Sequence, residues 1–110
     1  MYAIVRQHEY RAPASPEERQ AFAQAQAQAQ ARARALHSAQ PGYVGSLVVD
    51  DGHQLTTVNL WQSEQDAAAG REVIGAQVQR LLEPLMAAPS RMIAAGPVLD
   101  SDQGGLPGLA

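Results

Sequence analysis

Apolar and polar positions alternate with a period of two in four stretches of this chain and recur at helical spacing in two others. Tyr2 to Glu9 alternates, with Tyr2, Ile4, Arg6 and His8 on one face and Ala3, Val5, Gln7 and Glu9 on the other, the signature of a strand. After an Arg11–Ala14 connector, Ser15-Pro16-Glu17-Glu18 opens a helix with an N-cap serine, a proline at the first helical position and a glutamate to complete a capping box. Ala21 to Leu36 also has a period of two. Ala, Gln and Arg are strong helix formers with poor strand preference, so the run is predicted to be helix, with Phe22, Ala25, Ala29, Ala33 and Leu36 along one side. That side is almost all methyl groups, which predicts a helix seated close against a sheet. Pro41 and Gly42 end it near Gln40.

Tyr43 to Val49 reads as the second strand, Asp50-Asp51-Gly52 as a hairpin turn, and Gln54 to Gln62 as the third strand, antiparallel to the second. A second helix starts after Ser63, with an acid at Asp66. Gly70 and Gly75 predict a break or bend in its middle, and Pro84 the end of the regular helix or the start of a final turn. Ile74, Val78, Leu81, Leu82 and Leu85 form its apolar side. Arg91 to Val98 is the fourth strand. Residues 1–100 thus form one β-α-β-β-α-β domain, an α+β fold of ferredoxin-like topology with a four-stranded antiparallel sheet. Residues 101–110, rich in Gly, are expected to be a flexible tail or an arm on a partner.

Two helices joined in this order cover one face of the sheet, so the other should be polar. It is not. In strict alternation Val44 and Val48 oppose Tyr43, Leu47 and Val49, Val58 and Leu60 oppose Asn59 and Trp61, and Met92 opposes Ile93. Both faces need cover, and a second copy of the sheet is the simplest source, so a homodimer is expected.

Composition narrows the function classes. At 110 residues with 45% hydrophobic positions but only 5% aromatic, the core is lean, which also favours self-association. A net charge of −3 without a basic run disfavours nucleic acid. No stretch approaches a membrane span, and charged residues near the N-terminus interrupt any leader-like apolar run, so a cytoplasmic protein is expected. With no Cys and no Lys, thiolate and Schiff-base chemistry are excluded.

His8 is the first candidate for chemistry, because histidine titrates where a general base must work. It also reads as a partly buried, hydrogen-bonded strand residue. Arg6, two positions earlier on the same face, can hold a phenolate or carboxylate, or pair with an acid across a dimer. Asn59 and Trp61 share a face, putting an amide beside a flat aromatic wall, although Trp61 also reads as a core anchor. Tyr43, after Pro-Gly, lines a pocket or caps the barrel. His37 is expected to interact with a helix C-terminus, and His53 to be solvated. With no H-x-H or H-x-x-x-H spacing, no metal site is expected.

Pro41-Gly42-Tyr43, Trp61-Gln62-Ser63-Glu64 and the final strand resemble the antibiotic-biosynthesis-monooxygenase-like family of dimeric α+β barrels, over roughly Met1 to Asp100. The resemblance implies a face-to-face dimer and cofactor-free oxidation of phenols to quinones, or haem degradation. Haem degraders of this kind carry an Asn on the first strand and a Trp and a His on the second helix. Here those positions are Gln7, Gly70 and Arg80, so haem cleavage is not expected. Quinone-forming relatives flank the shared Trp with an Asn and a Tyr, where this chain has Thr57 and Ala67, and its second helix has no His.

The reading that results is a cofactor-independent monooxygenase-like protein acting on a small aromatic or quinol, with no cofactor. Its pocket would lie between sheet and helices. His8 would assist deprotonation, Asn59 hold the phenolate and Trp61 stack on the ring, with Arg6 and Tyr43 binding substrate. The alternative is a non-catalytic dimeric small-molecule-binding or stress-associated protein, or an isomerase or cyclase, on the same fold.

Overall fold

Residues 1–99 are described by the computed structural model of the chain. Their order is β1 (Tyr2–Glu9), α1 (Pro16–Ser38), β2 (Tyr43–Asp50), β3 (Gln54–Trp61), α2 (Glu64–Leu82), a 3₁₀ turn (Glu83–Leu85) and β4 (Arg91–Pro97). The strands form one antiparallel sheet in the order β2-β3-β1-β4, the ferredoxin-like arrangement the alternation predicts. The expected tail at 101–110 lies outside the described residues.

Both helices start as their sequences require. Ser15 Oγ accepts from the Glu18 amide at 3.1 Å, and Ser63 Oγ from the Asp66 amide at 3.1 Å. The Glu18 carboxylate accepts from the amide of Ala14 at 2.9 Å, so the capping box reaches one residue beyond the cap itself. Between β2 and β3 the turn is one residue longer than a two-residue Asp-Gly loop. Gly52 takes a φ of +92°, while Asp51 Oδ1 accepts from the amides of His53 and Gln54 at 2.8 and 2.7 Å.

Two expectations need correction. First, α2 runs unbroken through Gly70 and Gly75. A mid-helix Gly costs only about 1 kcal/mol relative to Ala, too little to break a capped helix that buries Ala67, Gly70 and Ile74. Second, β2 does not alternate strictly from its first residue. Tyr43 pairs with Trp61 but Gly45 pairs with Leu60, so Val44 is an extra residue in a β-bulge. Directly opposed residues share a face, so Tyr43 lies with Ser46 and Val48 on the Trp61 side, not with Leu47 and Val49. A cavity of about 740 Å³ opens between the helices and the sheet; of the Ala-rich side of α1 only Ala33 lines it, while Ala29 is buried in the core.

A second bulge skips Ile93 in β4, between the pairs Val5–Ala94 and Arg6–Met92. The core consists of Ala29, Leu55, Leu60, Trp61, Ala67, Ile74 and Leu85. On the face away from the helices Leu60 is buried, whereas Val49 keeps 61% of its surface exposed, and Ile93, at the β4 bulge, 50%. At the end of the helix layer Tyr10 meets Phe22 edge to face, with ring centroids 5.9 Å apart. No helix among the described residues is long and apolar enough to cross a membrane.

Candidate functional site

Alternation along three neighbouring strands sends one side chain in two towards the helices, and this builds the floor of the cavity. The pairs Ile4–Asn59, Arg6–Thr57 and His8–Leu55 lie across β1 and β3, with Tyr43–Trp61 and Ser46–Asn59 across β2 and β3. All five residues singled out in the sequence, Arg6, His8, Tyr43, Asn59 and Trp61, line this cavity. From above, α1 supplies Gln30, Ala33 and His37, and α2 supplies Ala67, Arg71 and Ile74.

Trp61 is both wall and anchor. It is 2% exposed, and its ring meets Tyr43 edge to face at 5.3 Å. Its six-membered ring lies against Gly70, where an added Cβ would overlap it. Gly70 is therefore the residue that lets α2 come down over the indole.

His37 completes the aromatic group, 5.6 Å from Tyr43 and 6.2 Å from Trp61. Its Nδ1 is 2.8 Å from the Ala33 carbonyl. A carbonyl only accepts, so Nδ1 carries the hydrogen. The ring thus bonds within its own helix, and its position beside the cavity went unread in the sequence. So did that of Arg71. Helical spacing held the signal in both cases: His37 is four residues past Ala33, and Arg71 four past Ala67 and three before Ile74. His53 is exposed on the hairpin turn. Among the described residues no three His, Cys, Asp or Glu side chains gather as a metal would require.

The electrostatics centre on β1. His8 is buried, and its Nδ1 has no hydrogen-bond partner among the described residues. Burial, and then the charge of Arg6, push its pKa below the ordinary value of 6.5, so the imidazole is neutral at pH 7. Arg6 is half-buried and donates from Nη1 to Ser90 Oγ at 3.1 Å. Burial and the like charge of Arg71 lower its pKa too, though a guanidinium keeps its proton. The floor therefore offers a neutral imidazole with a free buried nitrogen, a fixed cation beside it, an amide and a flat indole.

No protein-family model matches the chain, and no curated relative matches it. Solved structures do. A protein of unknown function from Nitrosomonas europaea superposes with a TM-score of 0.68 at 16% identity, covering 92% of this chain and 91% of its own. SnoaB, a cofactor-independent oxygenase from Streptomyces nogalater crystallised as a mutant, gives 0.65 at 15% identity, over 91% and 97%. The monooxygenase from the gene ActVA-Orf6 of Streptomyces coelicolor, in complex with nanaomycin D, gives 0.63 at 17%, over 91% and 92%. This chain has the ferredoxin-like α+β fold of the antibiotic-biosynthesis-monooxygenase proteins. At these identities the likeness is one of fold.

Proposed function

We infer that the chain is a cofactor-independent oxygenase of small aromatic or quinol substrates. The observation that carries this reading is the meeting, in one cavity, of a neutral buried imidazole with an unpartnered nitrogen, a half-buried guanidinium, an amide and an indole. The fold shared with a cofactor-independent oxygenase supports it. Substrate lies in the cavity with its ring against Tyr43, which packs edge to face on the buried Trp61. His8 accepts the phenolic proton, and the Asn59 amide donates to the phenolate oxygen that forms, with Arg6 supplying positive charge beside it.

Dioxygen is the oxidant. The phenolate pushes electron density to a ring carbon, which forms the new C–O bond. The ring carbon then loses its hydrogen as the O–O bond breaks. One oxygen atom stays as a quinone carbonyl, and the other leaves as water with the two hydrogens. A base already neutral at pH 7 suits this chemistry, because an imidazolium could not take the first proton.

The test is oxygen uptake with a panel of hydroquinones and anthrone-like phenols. Turnover is expected in the parent and a loss of at least 100-fold in a His8→Ala, Asn59→Ala double variant, since a general base alone is worth about 10²–10⁴ in rate. A double variant as fast as the parent sinks the site assignment. Ligand-induced thermal stabilisation without oxygen uptake by the parent favours the binding-only alternative. The working unit in this reading is a homodimer whose sheets meet on the face away from the helices, where Val49 is exposed.

A further inference from the structure

The strand ladder loosens beside His8. Gln7 is in register with Arg91, the Ala87 amide donates to the Glu9 carbonyl at 2.7 Å, and Tyr10 bridges to Met86. Residues 88–90 therefore stand opposite His8 alone, where a regular antiparallel ladder places one residue, and all three line the cavity. This is the end of β1 remote from Trp61, which pairs with Tyr2.

The same register sets two thioethers around the imidazole. Met92 is opposite Arg6 and Met86 opposite Tyr10, each two residues along β1 from His8. Each methionine is thus a diagonal neighbour of His8, about 7–8 Å away between backbones and within the reach of a long side chain. Methionine has three rotatable bonds, so both sulfur atoms can turn towards the ring. The three side chains line one cavity.

His8 is buried and neutral at pH 7, and its Nδ1 has no hydrogen-bond partner among the described residues. A buried polar atom in that state is costly, and is kept where an ion, a ligand or a reaction uses it. An imidazole with two thioethers is a neutral, soft donor set, the kind that selects copper(I). Arg6 stands beside it, and the one acid lining the cavity among the described residues, Glu83, is exposed. A divalent ion would meet that positive charge with little to offset it.

We propose that His8, Met86 and Met92 form a binding site for a soft monovalent metal ion, copper(I), entered past the partly exposed Met92. Histidine spacing does not reveal such a site, since two of its three donors are thioethers. The site stands apart from the oxygenase reading; where both hold, copper(I) and substrate compete for His8.

The experiment is anaerobic titration of the full chain with copper(I) against bicinchoninate, a chromophoric copper(I) chelator. A single equivalent is expected to be held, and excess zinc(II) should not displace it. Loss of a ligand should cost no less than the roughly 10–100-fold in affinity typical of losing an outer-shell partner. Met86→Leu and Met92→Leu should each show that loss and the double variant a larger one, whereas His53→Asn, on the exposed turn, should show none. Leu conserves the volume of Met, so these variants test the site even if His8→Asn fails to fold. Silver(I), a redox-inert analogue, should shift the methyl resonances of Met86 and Met92 and leave that of Met1, the third methionine, in place. Failure to hold copper(I) against the chelator, retention undiminished in the double Leu variant, displacement by zinc(II), or a silver response at Met1 alone would overturn the proposal. Copper(I) binding by a chain that consumes no oxygen with any quinol sinks the oxygenase alone, whereas quinol turnover by a chain that holds no copper(I) sinks the metal site alone.

Discussion

Replacing Gly70 by Ala probes the contact that defines the cavity wall, and the outcome follows from two opposed effects. In a helix interior the change gains about 1 kcal/mol, because Gly gives up more backbone freedom on folding than Ala. Against that, the new Cβ falls within the space of the Trp61 ring. The ring has no easy retreat. It is 2% exposed, with Tyr43 at 5.3 Å and His37 at 6.2 Å. Overpacking of a tight core costs about 1–3 kcal/mol, so the net effect is a loss of up to about 2 kcal/mol.

Gly75 supplies the control within the same helix. Its added Cβ would meet only Arg71 Cγ at 3.6 Å, an ordinary contact with a flexible side chain. Gly75→Ala should therefore stabilise by about 0.5–1 kcal/mol. Urea unfolding followed by circular dichroism at one fixed protein concentration measures both. Trp61 is the only tryptophan, so its emission reports the displaced ring directly in Gly70→Ala and stays unchanged in Gly75→Ala. If Gly70→Ala gains as much stability as Gly75→Ala and leaves the emission as it was, the close seating of α2 on Trp61 is refuted.

Two further outcomes are expected. The folded-state pKa of His8 lies below its ordinary 6.5, so the unfolded chain binds the proton more readily. Its contribution to stability is whole above about pH 6.5 and is lost as pH falls through the folded-state value. A titration of urea midpoints from pH 8 to pH 5 should fall more steeply for the parent than for His8→Asn, and parallel curves would contradict the burial assigned to His8. Val49→Asp places a charge on the exposed apolar face of β2 and should convert the proposed dimer to a particle of 11.7 kDa by light scattering with far-ultraviolet dichroism unchanged. A variant that keeps the parent's mass moves the interface elsewhere.

The elements and their order were legible in the sequence because they depend on local chemistry. Ser15 and Ser63 cap the helices they precede, and the helix preference of Ala and Gln overrides the two-residue period of the run after Ala21. Alternation also placed Arg6 with His8, and Asn59 with Trp61, because a strand's period fixes which side chains share a face. Four of the five candidate residues, Arg6, His8, Asn59 and Trp61, were therefore assigned to the right face from sequence alone, and Tyr43 was not.

Tertiary structure decided what depends on a second element. The bulge at Val44 turns Tyr43 towards Trp61, and a bulge is a mismatch between two strands that neither one's pattern reveals. Gly70 looks like a helix breaker until the indole beneath it is seen. His37 and Arg71 join the site only because α1 and α2 settle over the same three strands, and the missing partner of His8 Nδ1 is a property of everything packed around it. Periodicity is encoded in neighbours along the chain, whereas burial, charge coupling and cavity shape arise between residues far apart in it.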